Sequence, residues 1–446
     1  MNRFSLLRLS QCGRSSAVLC YGLLILGFIT LVISTPARAN ILNLEQVAQR
    51  IIQNNPDLVR YHWRQEAILA QRDTAALSQP LSVTVGADNV LGTGDYNSFD
   101  NAELMVSLSS VIELGDKPSL RVAEVDQRLA AGEAQQQAHL YDVLGQATQV
   151  YIALLTQQQQ AELLEQQIAF FRLNIERTQE RVNRGVAPQA DWLRAKSELA
   201  QRQLELTELQ ARYKSTQLSL TALWGSSEID FSSVAGDLYH FRAMEPFETL
   251  FKRTEQSPYI EALSAQVRLQ QAQTALASAQ ASSDLRWRAG ITQHLETDDT
   301  SMGFSMSIPL FSADRNRSVN ATQQAFETEA LSARQSALIS LRAELLTAYQ
   351  LREYYYVATQ ALQQTIVPLR RETLAATRIA YESGHYSYSD WLKAEQDLFS
   401  AQAALIQAAS GVLQQHSKTE QLSGQALYAA NSSLTTEHPQ GEATHD

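Results

Sequence analysis

"GVAPQADWLRAKSEL" at residues 185–199 and "GHYSYSDWLKAEQDL" at 384–398 are one pattern written twice. Glycine, Asp-Trp-Leu, a basic residue, alanine and a closing leucine fall in register. A glycine suits the left-handed residue that ends a helix. Pro188 in the first stretch and Ser387 in the second suit the opening of the next helix. Each stretch therefore reads as the tip of a helical hairpin.

The segments on either side keep a heptad spacing. Before the first tip, Leu164, Ile168, Phe171, Ile175, Thr178 and Val182 recur in steps of three and four. After it, Trp192, Ala195, Leu199, Arg202, Leu206 and Leu209 continue the steps. Trp391, Ala394, Leu398, Ala401 and Leu405 do the same after the second. A repeat of 3.5 residues means helices that supercoil around their neighbours. From 118 to 183 there is no internal proline, so about 100 Å of unbroken helix is expected at 1.5 Å per residue.

The duplication extends beyond the tips. Residues 44–79 match 247–280, with Pro56 falling on Pro258. Each match leads to two short segments that alternate apolar and polar residues, the mark of strands. They are "LSVTVGA" (81–87), "ELMVSLSSVI" (103–112), "LRWRAGITQ" (285–293) and "MGFSMSIPL" (302–310). Each is about ten residues long, which a tilted strand needs to cross an outer membrane. The joining loops, "LGTGDYNSFDN" and "LETDDTS", are polar. The chain thus reads as an internal two-fold repeat, with units at 40–240 and 241–430 and a disordered polar tail at 431–446.

The first 39 residues read as a secretory signal peptide. Arg3, Arg8 and Arg14 precede an apolar run from 17 to 34, and Ala37-Arg38-Ala39 fits a cleavage site. An uncleaved anchor is the alternative. Both cysteines, Cys12 and Cys20, lie in this leader, so the mature chain holds no disulfide and no thiolate metal site. Cleavage removes four of the 36 basic residues, leaving 32 against 47 acidic ones, a net charge of −15. A chain this acidic is a poor partner for nucleic acid.

Four strands cannot close a membrane barrel, because known barrels start at eight. Nor can open edges face lipid, where each unpaired backbone group costs several kcal/mol. If the strands cross a membrane, several chains share one barrel: two would give eight strands, three would give twelve. Duplicated tips then supply two hairpins per chain to one rim.

With these residues in hand, the sequence resembles the TolC-like outer-membrane factors over nearly all of the mature chain. "VIELGDKPSLRVAEVDQRL" (111–129) is most similar to the CzcC-type cation-efflux branch, which has a comparable Glu-Leu-Gly-x-Lys run after its second strand. The resemblance implies a mainly α fold with a small transmembrane β part. Long antiparallel coiled-coil helices would form a periplasmic α-barrel, and four strands per chain would enter a shared 12-stranded β-barrel in a homotrimer. It also implies an efflux duct in the outer-membrane lipid, docked to a periplasmic adaptor and an inner-membrane pump, with heavy-metal cations as cargo. Drug efflux and type I protein secretion use the same kind of duct. A secreted structural coiled coil of the envelope is the alternative from another class.

The family's adaptor-contacting positions fall on Gly185, Val186 and Ala187 in the first tip and Gly384, His385 and Tyr386 in the second. His385 and Tyr386 depart from the small or aliphatic residues usual there, which bears on the adaptor's identity. The family's constricting aspartates fall on Asp390, with Asp191 as its counterpart, and on Lys393, where a salt-bridged contact would replace the second ring. Converging carboxylates would favour cation-dependent closure. An acid in a helix's first turn also complements the dipole, so either aspartate has a plain structural reading too.

No catalytic constellation is present: no Gly-rich phosphate loop, no His-Glu-x-x-His and no nucleophile elbow. His62, His240, His294, His385 and His416 have no ligand spacing and read as surface or packed residues. Trp192 and Trp391 read as packing anchors of the hairpins. No enzyme activity, cofactor or bound metal is expected.

Overall fold

In the computed structural model, residues 41–310 and 312–425 are described. The leader at 1–39 and the tail at 431–446 lie outside them. The chain opens with β1 (Ile41–Leu42), α1 (Leu44–Asn54) and α2 (Pro56–Ala75), then β2 (Ser82–Asp88) and β3 (Glu103–Ile112). Two long helices follow, α3 (Lys117–Asn183) and α4 (Gln189–Ala222), and a two-residue strand, β4 (Ser233–Val234). Next come α5 (Phe247–Thr254), α6 (Pro258–Gln280), β5 (Leu285–His294) and β6 (Asp299–Ser307). The chain ends with α7 (Ser312–Ala361), a π turn (Leu362–Ile366), α8 (Val367–Glu382) and α9 (Tyr388–Ser423). The fold is mainly α with a small β part.

Local chemistry explains the element starts. α2 and α6 both open on a proline, whose missing N–H is harmless in a first turn. Asn55 caps α2 by accepting from the Leu58 amide at 2.9 Å. α3 runs 67 residues without a break. The corresponding rod before the second tip is interrupted by the π turn just before Pro368. A proline there has no N–H to give and crowds the carbonyl four residues back, which the wider turn relieves.

The principal core lies where β1, α1, β4 and the segment after it pack on the middle of α3 and on α9. Leu42, Val47, Ile51, Leu154, Leu220 and Ala409 are almost wholly buried there. Tyr151 of α3 donates to the Leu42 carbonyl at 3.1 Å and also to that of Ala235, fixing this collar to the helices.

The strands form one antiparallel sheet in the order β2-β3-β5-β6. Its register sorts the side chains by face. Val83, Leu108, Ala289 and Phe304 stand in one cross-strand row, and Val85, Val106, Ile291 and Met302 in the next. On the other face, Ser82, Ser109, Arg288 and Ser305 form a row, as do Thr84, Ser107, Gly290 and Gly303. One face is apolar and the other polar, as alternation dictates. The apolar side is uncovered by the chain itself: Val85 is 76% exposed and Met302 84%. β2 and β6 are free edges among the described residues.

The "MGFSMSIPL" expectation is shifted here. β6 begins at Asp299 and ends at Ser307, so Ile308–Leu310 lie outside the strand. Pro309 lacks the amide a ladder needs. Asp298, at φ +56°, turns the hairpin earlier than the loop reading allowed.

A clasp joins sheet to helices. Lys117 is buried and donates to Asp284 Oδ1 at 2.6 Å and to the Ser282 carbonyl at 2.7 Å. Glu113 is gripped by Arg121, which also donates to the Ala75 and Leu77 carbonyls at 3.3 Å. The Glu-Leu-Gly-x-Lys run thus ties the exit of β3 to the entry of β5, with Gly115 and Asp116 both at positive φ making the bend.

Candidate functional site

Both hairpin tips close by the same backbone device. In the first, the Val186 amide donates to the Arg181 carbonyl at 3.0 Å and the Gly185 amide to that of Val182 at 2.9 Å. In the second, His385 donates to Ala380 at 2.9 Å and Gly384 to Tyr381 at 3.1 Å. This paired pattern satisfies the last carbonyls of the helix and demands a left-handed residue, which glycine supplies at φ +73° and +81°. Val186 and Tyr386 project into solvent, 62% and 52% exposed. Gly185, Gly384 and His385 are exposed and Ala187 is half-buried, so the six tip residues form the outermost surface of the two turns.

The helices that leave the tips start differently. Ser387 and Asp390 make a capping box: the Asp390 amide donates to Ser387 Oγ at 3.2 Å, and the Ser387 amide donates to Asp390 Oδ2 at 3.0 Å. The Ser387 hydroxyl also donates to Asp390 Oδ2 at 2.6 Å, and these bonds hold the exposed carboxyl below its ordinary range. Pro188, at the same place in the first tip, offers no side-chain cap.

Asp191 is consequently free of capping and sits buried, 3.8 Å from Arg194. Burial pushes its carboxyl up, while Arg194 and Arg181 pull the other way. Lys393 is exposed and lies 3.9 Å from Asp397, one turn along its own helix. The two aspartates, twins in sequence, therefore have unlike surroundings within one chain.

Between the tips lies an aromatic seam. Trp391 stacks on Tyr381 at 5.2 Å, with Tyr388 and Phe170 at 5.7 and 5.8 Å. Ala195 of α4 is fully buried in the same cluster, so α9 docks against the first hairpin. Arg181 lies over the Tyr381 ring at 4.7 Å, and Arg194 donates to Ser389 Oγ at 3.1 Å across the tips. Trp192 does not share this role. It is half-buried, with the Lys196 ammonium 4.4 Å above its ring.

Sequence reasoning passed over Glu395, Tyr381 and Tyr388. Glu395 is 1% exposed, one turn beyond Trp391 on the buried face of α9. The available signal was an acid one turn after an inward tryptophan, among the Ala394 and Leu398 core positions.

Among the described residues no group of three His, Cys, Asp or Glu could hold a metal ion. None of the described helices is long and apolar enough to cross a membrane. The two-faced sheet lies at one end of the helices that leave it, and the tips lie at the other.

Residues 47–226 and 254–425 match the family described as outer membrane efflux protein. The chain belongs to that family. It is a TolC-like outer-membrane factor. The cobalt-zinc-cadmium resistance protein CzcC of Cupriavidus metallidurans is 28% identical over 294 residues, covering 65% of this chain and 69% of that protein. Among solved structures, a membrane protein from Pseudomonas aeruginosa superposes with a TM-score of 0.73 at 17% identity, covering 85% of this chain and 93% of the other. The outer membrane protein VceC from Vibrio cholerae gives 0.71 at 19%, covering 86% and 96%. At such identities these likenesses speak for the fold. The family match places the chain among outer membrane efflux proteins.

Proposed function

We propose that three copies of this chain assemble into a passive exit duct of a tripartite efflux system. The observation that carries this reading is the four-stranded sheet with one apolar face, one polar face and two free edges. Such a sheet is stable in lipid only if its edges are paired by other copies. Three chains supply twelve strands, with the apolar rows toward lipid and the serine, threonine and glycine rows toward the lumen. The long helices continue the barrel into the periplasm as a tube of packed coiled coils. In this reading the chain is a tandem duplication, with units at 40–240 and 241–430 after removal of the 1–39 leader.

Gly185, Val186, Ala187, Gly384, His385 and Tyr386 form the rim that meets a periplasmic adaptor, which links the duct to an inner-membrane pump. Asp191 and Asp390 stand near the narrow end, with Lys393 held by Asp397. The duct does no chemistry, and energy comes from the pump. Heavy-metal cations are the cargo that the kinship with CzcC favours.

Detergent-extracted protein is expected to run as a trimer and to form pores in planar bilayers. A monomer without conductance would reject the proposal. A deletion strain is expected to be sensitive to zinc, cobalt or cadmium. Sensitivity to dyes and detergents instead would reassign the cargo and leave the duct intact.

A further inference from the structure

Glu395 is the one acidic side chain of the tip region that is fully enclosed, and both its carboxyl oxygens lack a hydrogen-bond partner. The atoms around it are similarly unsatisfied: Tyr388 Oη and Trp391 Nε1 are buried without partners. Buried polar groups are normally paired, so a cluster of unpaired ones marks a packing held at a cost. The groups that face it are few. From α4 come Glu198 and Arg202, with Asp191 nearer the tip. From α9 itself comes Tyr388, backed by Tyr381 of α8. The α3 residues of the cluster, Phe170 and Ile175, carry no charge, and Arg181 lies over the Tyr381 ring with its own Nε buried and without a partner.

The cation that acts on Glu395, Arg202, is already engaged. Arg202 Nη1 donates to Glu205 Oε2 at 2.6 Å, and Nη2 donates to Glu198 Oε2 at 3.4 Å. A charged Glu395 would thus lie buried beside a second carboxylate with no cation of its own.

We propose that Glu395 is a proton-operated latch on the seam between the two hairpins of one chain: neutral, it lets α9 pack against α4; ionised, it repels Glu198 and parts the tips. Burial, reinforced by Glu198 and opposed by Arg202, raises its carboxyl to about 9, so it is neutral in the packed seam at pH 7. The matching position of the first tip is Lys196, exposed above Trp192, so the first tip does not repeat the buried acid.

The sign follows from linkage. The packed seam keeps a proton that the parted seam, with Glu395 back near 4.5, gives up. The seal is therefore at full strength below the ordinary glutamate range and weakens as pH rises toward about 9. Within that window the parted-to-packed ratio grows up to about tenfold per pH unit, and outside it the ratio is flat.

The latch belongs to one chain, while its effect on conductance rests on the duct reading above. Nitroxide labels on Arg194→Cys and Ser389→Cys, residues that touch across the seam, report its separation by dipolar line broadening in the detergent-extracted, full-length assembly. Broadening is expected to fall with rising pH inside the window, and Glu395→Gln in the same labelled background is expected to stay broad throughout. A response identical in both, or flat in both, overturns the latch. If Glu395→Gln does not assemble, Glu198→Gln carries the test: its response must end at lower pH, and an unchanged profile overturns the proposal. Planar-bilayer conductance, recorded on the same samples, is expected to rise over the same window. A flat conductance beside a titrating spectrum refutes the link to the duct and leaves the latch standing.

Discussion

Trp391→Ala tests the seam directly. The indole is 5% exposed, stacked on Tyr381, met edge-on by Tyr388 and at a tilt by Phe170 of α3. Removing a buried ring of this size costs about 3–5 kcal/mol, through lost transfer energy and the cavity left behind. Near 3 kcal/mol the equilibrium constant for local opening changes by about a hundredfold. Because Phe170, Ile175 and Ala195 belong to the first hairpin and Tyr381 and Tyr388 to the second, the loss is shared. Hydrogen exchange followed by mass spectrometry on the intact protein should show roughly hundredfold faster exchange at slow amides on both sides of the seam. Trp391→Phe keeps a ring on Tyr381 and should recover a good part of the protection. The reasoning is refuted if only the second tip speeds up, because Trp391 would then anchor its own hairpin and not the junction.

Two further outcomes follow from the tips. Gly185→Val and Gly384→Val place a β-branched residue at φ +73° and +81°, where no neighbour obstructs a side chain but the backbone itself resists, at about 1–2 kcal/mol. Crosslinking to the proposed adaptor should fall while assembly of the proposed trimer is unchanged, and loss of that trimer would show that the turns serve assembly. For Ser387→Ala, the capping box disappears and Asp390 returns toward the ordinary carboxylate range. A carboxyl held low in the fold stabilises above its unfolded pKa, and that contribution is lost as pH falls through the folded value. Exchange protection at the start of α9 should therefore exceed that of the variant at neutral pH and converge with it in acid. A constant difference down to low pH would remove the carboxylate from the cap.

The sheet was legible because its physics has a period of two. Val106 and Leu108 declare a face by alternation, and the observed register places Val106 opposite Val85 and Ile291, and Leu108 opposite Val83 and Ala289, as that face requires. The hairpin tips were legible because a helix that must reverse leaves carbonyls that only a left-handed residue helps to satisfy. What alternation cannot convey is where pairing stops: Pro309 ended β6 early. Nor does heptad spacing reveal which of two identical stripes meets a neighbour. Leu163, Gln167 and Asn174 are buried alongside the expected Ile168, Phe171 and Thr178, because α3 packs against α4 on one side and α9 on another. The π turn had a visible cause in Pro368, but its form depends on the rod continuing past it, a tertiary demand.

The two tips share one sequence pattern, yet three aligned pairs have separated. Pro188 and Ser387 decide which aspartate is consumed by a cap: Asp390 is, and Asp191 is left buried beside Arg194. Trp391 is enclosed by the first hairpin, while Trp192 is half-buried with Lys196 over its ring. At the third pair a buried acid, Glu395, stands against an exposed base, Lys196. Burial explains the sign of each difference. The second hairpin has a neighbour in its own chain, and a group enclosed there is exposed to shifts in charge that a solvated group escapes. In the proposed trimer, seams within a chain alternate with seams between chains around the rim. Each seam within a chain holds the buried carboxyl of Glu395. A ring of six hairpins built this way would therefore loosen at its three Glu395 seams, which gives the duct a hinged rim without requiring every contact to yield.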